Sequence, residues 1–264
     1  EKISFDGTPI SLVSGSGTTS TNNLAYTVSV VSGTATLTFT NGAGLTTATM
    51  QSLINNLSYS DITQQPTAGA RIVTLTQIVD TGGVANGGVD TRTLAISNTV
   101  NVVAVNDAPT ITSTPSTVNY VEDAAPTSIF SGTLVNTIET GQMIKSLTFT
   151  VSGVVDGSSE RISFDGATIS LVNGSGTTSI GNNNLSYTVN VSAGVATITF
   201  TKTAGVLPGT MQTLIDNMTY VDVGQQPTAG NRIVTLTQIV DNGGVALGAR
   251  GIIANKITGI PLND

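Results

Sequence analysis

The sequence repeats itself, and this duplication constrains the fold more than any other feature. Residues 1–21 match residues 160–180 at 16 of 21 positions, and residues 64–84 match residues 225–245 at 19 of 21 positions. The period is about 160 residues, which is the size of a domain and exceeds the unit of most solenoid proteins. We therefore expect two domains in tandem rather than the layers of a single stack.

The phase of the repeat predicts one partial and one complete domain. Residues 108–159 have no counterpart ahead of residue 1. The sequence thus predicts a partial repeat at residues 1–107, with its opening strands missing, and a complete repeat at residues 108–264. The partial repeat would be completed by a preceding part of a longer chain, by a neighbouring molecule, or not at all.

Hydrophobic periodicity predicts an all-β protein with one short helix in each repeat. Residues 24–30, 34–40 and 71–80 alternate apolar side chains with threonine, serine or glutamine, which is typical of antiparallel strands with one buried face. Asp6-Gly7 between two such runs predicts a tight hairpin turn. The helical spacing i, i+3, i+4, i+7 occurs once in each repeat, at Met50, Leu53, Ile54 and Leu57 and at Met211, Leu214, Ile215 and Met218.

Composition argues against several classes of function. The 264 residues include 9 basic and 16 acidic side chains, and no histidine, cysteine or tryptophan. Histidine- or cysteine-based metal sites and nucleophile–histidine pairs are therefore excluded, and we expect no enzymatic activity. An acidic chain poor in lysine and arginine is a poor partner for nucleic acid, and no apolar run is long enough for membrane insertion.

Several motifs occur in a fixed order along the chain. They are the junction Asn106–Pro109, Tyr120–Asp123, Leu147–Gly153, Gln226–Gly230 and Val240–Gly244. In this order they resemble the cadherin-like tandem repeats of giant bacterial surface adhesins, including those exported with repeats-in-toxin tails. The resemblance covers nearly the whole chain, and it implies tandem immunoglobulin/cadherin-like β-sandwich modules.

The same resemblance implies calcium (Ca²⁺) bound by oxygen ligands where neighbouring modules meet. The competing interpretation is that these acids are solvated loop residues. The implied ligands of the junction inside this chain are Glu1, Asn106, Asp107, Glu139 and Asp241. Those of the far end are Glu122, Glu160, Asn263 and Asp264, and Asp80 would serve an upstream junction.

The function implied by the resemblance is that of a calcium-stiffened spacer in a secreted adhesin at the bacterial cell surface. Its partners would be neighbouring repeats of the same long chain, with possible self-association through the incomplete first repeat. Two alternatives remain open: a carbohydrate- or protein-binding module, and a self-assembling filament or sheath subunit. A further prediction from the residues is that Asp61–Arg71 and Asp222–Arg232 form ion pairs that brace the long loop in each repeat.

Overall fold

A computed structural model describes residues 1–115, 117–178, 182–243 and 253–260. The chain divides into two compact units, Glu1–Ala104 and Val105–Asp264, which we call module 1 and module 2. The division lies just ahead of the Asn106-Asp107 pair. The fold is all-β, with two short α-helices in the described part of the chain.

Module 1 forms three small antiparallel sheets within its described residues. The elements are β1 (Lys2–Phe5), β2 (Thr8–Ser11), β3 (Gly15–Thr18), β4 (Ala25–Val31), β5 (Thr34–Thr40), α1 (Thr47–Asn55), β6 (Ser58–Ser60), β7 (Gly69–Val79) and β8 (Thr91–Val102). The strand orders of the three sheets are β2-β1-β6, β3-β4-β5 and β7-β8.

Module 2 repeats these elements and joins most of them into larger sheets. Its elements are β9 (Thr110–Pro115), β10 (Thr117–Val121), β11 (Thr127–Ser128), β12 (Phe130–Asn136), β13 (Ile144–Ser152), β14 (Glu160–Phe164), β15 (Ala167–Ser170), β16 (Gly174–Thr177), β17 (Ser186–Ser192), β18 (Val195–Val206), α2 (Pro208–Asp216), β19 (Thr219–Asp222), β20 (Gly230–Asp241) and β21 (Ile253–Ile260). One sheet has the order β10-β21-β20-β13-β18-β17-β16, a second has the order β11-β19-β14-β15, and β12 pairs with β9.

The predicted hairpin turn forms in both modules. Asp6 and Gly7 connect β1 and β2 with φ angles of 51° and 73°, and the equivalent residues of module 2, Asp165 and Gly166, have φ angles of 50° and 74°. Such positive φ angles are those of a type I′ turn, which favours aspartate or asparagine followed by glycine. The local sequence favours this turn, and the buried carboxylates of Asp6 and Asp165 also accept hydrogen bonds from Asn22 and Asn183.

Both predicted helices form, each over nine residues. The hydroxyl of Thr46 accepts a hydrogen bond from the amide of Thr49 (3.2 Å) at the start of α1, while α2 begins at Pro208, where the missing N–H costs little. Met211 and Ile215 of α2 are buried, whereas no residue of α1 is fully buried. No helix in the described residues has the length and apolarity needed to cross a bilayer.

The two modules differ sharply in their cores. In module 2, one cluster of buried side chains draws on the seven-stranded sheet, the four-stranded sheet and α2, with Phe149, Phe164 and Phe200 at its centre. In module 1, the fully buried cluster is much smaller, and the other apolar side chains are half-buried or exposed. Module 2 therefore has the more complete hydrophobic core.

Gly153, directly after β13, offers a test of how tightly module 2 is built. Its φ is 82°, and a Cβ at this position would overlap the carbonyl oxygen of Asn231. Gly157 has a φ of 62° with open space around it, so alanine there meets only the left-handed strain of about 1–2 kcal/mol. We expect Gly153→Ala to destabilise module 2 by clearly more than Gly157→Ala in urea unfolding. Equal losses would mean that the backbone around Asn231 moves freely.

Candidate metal sites at the two ends of module 2

The pairing of β13 with β20 defines two ends of module 2. These strands are antiparallel, so Ile144 lies opposite Asp241 at one end and Ser152 lies opposite Ile233 at the other. The nine residues of β13 span about 30 Å at roughly 3.3 Å per residue. We call the end near Asp241 the linker end and the opposite end the triad end.

The linker end brings together four of the residues that the sequence assigned to the junction. Asn106 donates from Nδ2 to Oδ1 of Asp241 (3.2 Å), and the amide of Asp107 donates to Oε1 of Glu139 (2.8 Å). The sequence analysis did not select Gln142, whose Nε2 donates to Oδ1 of Asn106 (2.6 Å). Residues from the linker, from the loop before β13 and from the end of β20 therefore meet in one polar cluster.

This cluster contains buried oxygens that have no hydrogen-bond partner. They are Oε2 of Glu139, Oε1 of Gln142 and Oδ2 of Asp241. Asp241 itself is 2% exposed, and its other oxygen, Oδ1, also accepts the amide of Gly243 (3.0 Å). Because a buried polar or ionised oxygen without a partner is costly, these three atoms make the linker end a candidate position for a cation.

The triad end holds a second acidic cluster, formed by Asp156, Glu160 and Asp222. Each offers one carboxylate oxygen, and these oxygens lie within 4.8 Å of one another, so the triad could hold a metal ion. Glu160 begins β14 and Asp222 ends β19, and the two residues lie opposite each other in the β14–β19 ladder. Strand pairing therefore brings these two carboxylates together.

Arg232 on β20 compensates part of this negative charge. Its Nη2 lies 2.9 Å from Oδ2 of Asp156 and 2.5 Å from Oε1 of Glu160, and its Nε donates to the same Glu160 oxygen (3.0 Å). The guanidinium pairs with two of the three carboxylates, so two negative charges of the triad remain uncompensated when all three are ionised. Oε2 of Glu160 and Oδ2 of Asp222 are buried without a partner.

The electrostatics of the triad differ from one acid to the next. Burial raises the pKa of Asp222, and the carboxylates of Asp156 and Glu160 raise it further, against a lowering effect of the Gly224 amide. Burial also acts to raise the pKa of Asp156, but its hydrogen bonds with Thr228 and the charge of Arg232 outweigh this, so the pKa is lowered. Of these two aspartates, Asp222 is thus the harder to ionise without an added cation.

The predicted ion-pair partners of the two arginines were wrong. Arg71 pairs with Glu1 (2.7 Å), and Arg232 pairs with Glu160 and Asp156. Asp222 instead accepts the amide of Gly224 (2.8 Å) in a tight turn, and Asp61 accepts the amide and hydroxyl of Thr63 in the same way (3.0 and 2.8 Å). Asp61 and Asp222 accept hydrogen bonds from neighbouring residues, whereas Glu1, Glu160 and Asp156 pair with the arginines.

The remaining predicted ligands are distributed as follows. Glu122 is 8% exposed and directly follows β10. The hydroxyl of Tyr120 on β10 donates to the carbonyl of Asp222 (2.6 Å), so β10 reaches the triad end. In module 1, the carboxylate of Glu1 is engaged by Arg71, and Asp80 is exposed and accepts the amide of Gly82 (2.7 Å). Asn263 and Asp264 lie outside the described residues.

Sequence reasoning missed Asp156 and Asp222 as possible ligands. Asp222 has a counterpart, Asp61, that lies in the same position relative to the glutamate and arginine of module 1, but Asp156 belongs to the segment that has no counterpart. A signal was present in the spacing, because Asp156 and Glu160 are only four residues apart.

The comparisons with known proteins add no relative: no protein-family model, no curated protein and no solved structure matches this chain. What the two ends of module 2 can bind therefore follows from their own chemistry.

Proposed function

We propose that this chain is a calcium-stiffened spacer of a secreted bacterial surface adhesin, built from tandem immunoglobulin/cadherin-like β-sandwich modules. The observation that carries the proposal is the presence of buried, unpartnered carboxylate and amide oxygens at both ends of module 2. An ion at each end of the module would fix how that module joins its neighbours. The duplication of the sequence supports repeated use of the same unit.

The linker end suits calcium better than smaller or softer cations. Calcium takes six to eight oxygen ligands in flexible geometry, whereas magnesium demands a near-ideal octahedron and zinc prefers nitrogen or sulfur. Here the available groups are the carboxylates of Glu139 and Asp241 and the amide oxygen of Gln142, together with the linker residues Asn106 and Asp107. They would hold the ion and tie the linker to the sheet.

The triad end supplies the second position. Two unit charges about 4 Å apart interact by about 4 kcal/mol at an effective dielectric near 20, so three crowded carboxylates repel one another strongly. A divalent ion among Asp156, Glu160 and Asp222 would cancel the charge that Arg232 leaves uncompensated. Glu122 and the groups of an adjoining module are candidates for the remaining ligands.

The sandwich interpretation is supported by the core of module 2. The seven-stranded and four-stranded sheets contribute to a single cluster of buried side chains, as two facing layers would. Sites at the ends of such a unit face the directions in which a tandem array continues. An extracellular setting fits, because extracellular calcium modules bind with dissociation constants of about 10⁻⁴ to 10⁻³ M.

The test is a calcium titration followed by thermal unfolding and small-angle X-ray scattering. At a free calcium concentration about one hundred times the dissociation constant, we expect a stabilisation of about 2.7 kcal/mol per site, with a stiffer particle, both reversed by EDTA. Asp241→Asn should remove the gain from the linker end and Asp222→Asn the gain from the triad end. Asp123→Asn, at an exposed turn, is the control and should behave as the unmodified chain. Identical unfolding in calcium and in EDTA would contradict the proposal.

A further inference from the structure

Strand β13 holds the main sheet of module 2 together. It lies between β18 and β20 and is antiparallel to both, with Leu147 opposite Phe200 on one side and Ile239 on the other. Leu147, Phe149 and Val151 are 0% exposed. All three side chains therefore belong to the inner face of this strand.

Module 1 contains both neighbours of this strand but not the strand itself. The counterparts of β18 and β20 are β5 and β7, which belong to two separate sheets in module 1, β3-β4-β5 and β7-β8. Within residues 1–104, the structure describes no strand paired to the free edge of either. A single additional strand would join the two sheets into the order that module 2 displays.

The side chains that β13 covers in module 2 are exposed or half-exposed in module 1. Ile78 is 40% exposed, whereas its counterpart Ile239 is 4% exposed. Val73 is half-buried, whereas its counterpart Val234 is 0% exposed. Four more side chains of module 1 are half-buried where their counterparts in module 2 are buried. They are Ala35, Leu37, Phe39 and Leu75, with the counterparts Ala196, Ile198, Phe200 and Leu236.

Polar groups of module 1 also lack partners among the described residues, at the end of the strand position that corresponds to the triad end of module 2. In module 2, the segment after β13 brings Asp156 to Arg232. In module 1, the ion-pair partner that the described residues provide for Arg71 is Glu1, and the buried hydroxyl of Tyr59 has no hydrogen-bond partner. A segment that enters beside β7 and continues to an aspartate would supply the missing acid.

We propose that module 1 binds one further β-strand between β5 and β7, antiparallel to both, with the residue pattern of Ile144–Asp156. That pattern has apolar residues at the positions of Leu147, Phe149 and Val151, glycine at 153 and aspartate at 156. The strand comes from a free extended segment and not from β13 of a second folded copy, because that β13 is the buried centre of its own module. Main-chain hydrogen bonds along both edges give the affinity and the buried side chains give the register.

The test uses the complete 264-residue chain and a fluorescent peptide with the sequence of residues 143–157, in EDTA so that metal binding plays no part. We expect saturable one-to-one binding by fluorescence anisotropy, and slower amide hydrogen exchange in β5 and β7. A peptide with lysine at 147, 149 and 151 loses three buried apolar contacts and should bind at least about tenfold more weakly. Equal affinity of the two peptides, or no binding by either, would overturn the proposal.

Two protein variants and one extended chain complete the design. Leu75→Asp, beside the proposed strand, should abolish peptide binding, whereas Thr93→Asp on β8 should leave it unchanged. A chain with a second copy of residues 108–159 joined ahead of Glu1 should protect β5 and β7 from exchange without added peptide. If the original chain instead formed concentration-dependent dimers that Leu75→Asp abolishes, a second copy would fill the position between β5 and β7. That result would overturn the proposal of a free extended segment.

Discussion

Arg232→Ala should destabilise module 2 by roughly 3–5 kcal/mol, because it leaves buried carboxylates without their cation. The guanidinium is 4% exposed and contacts Glu160, which is 0% exposed, as well as Asp156. Removing one partner of a buried ion pair costs more than the pair itself contributes, since the remaining charge stays desolvated. The loss should be seen as faster amide hydrogen exchange in β14 and β20 and as a lower urea midpoint.

The counterpart in module 1 is a matched control for this prediction. Arg71 pairs with Glu1 in the same way, but the two side chains are 25% and 36% exposed. Solvent screens such a pair, so Arg71→Ala should cost far less than Arg232→Ala. Equal losses in the two modules would mean that burial is not what makes the Arg232 pair important.

Calcium should offset part of the loss in the Arg232→Ala variant. Without the guanidinium, Asp156 and Glu160 lose the ion-pair partner that the described residues provide, and the three carboxylates of the triad end remain close together. A divalent ion would then relieve more repulsion than in the unmodified chain, so calcium should stabilise the variant by a larger increment. If calcium stabilised the variant and the unmodified chain by the same increment, Arg232 would not influence ion binding at the proposed triad site.

Sequence reasoning anticipated what depends on local pattern and on the order of motifs. The Asp6-Gly7 turn follows from two residues that accept positive φ, and α1 and α2 follow from four apolar positions each. The proximity of Asn106 to Asp241 and of Asp107 to Glu139 agrees with the ligand set that the resemblance implied.

The pairing of distant strands could not be predicted from the sequence. Glu160 meets Asp222 because β14 lies beside β19, and Arg232 reaches Glu160 because β20 passes the same end of the module. Neither register can be read from either strand alone, since each alternates in the same way. The arginine partners were therefore predicted wrongly, although Glu1 and Glu160 had been named as possible metal ligands.

Phe200→Ala should cost about 3–5 kcal/mol, and the equivalent Phe39→Ala about 1–2 kcal/mol. Phe200 is 1% exposed, and its ring centroid lies 6.0 Å from Phe149, 4.3 Å from Phe164 and 6.0 Å from Tyr187. Phe39 is half-buried and has the counterparts of the last two neighbours, Phe5 at 4.2 Å and Tyr26 at 6.3 Å. The ring that it lacks is that of Phe149 on β13.

The comparison of these two variants isolates the energetic contribution of one strand. The residue and two of its aromatic neighbours have counterparts in both modules, so a difference in cost reports on what module 2 adds around this ring, and the added aromatic contact is Phe149 on β13. Hydrogen exchange of β18 and β5 measures the loss in each module separately. If Phe39→Ala proved as costly as Phe200→Ala, module 1 would already bury Phe39 as fully as module 2 buries Phe200, and the free edges of β5 and β7 would need no further strand.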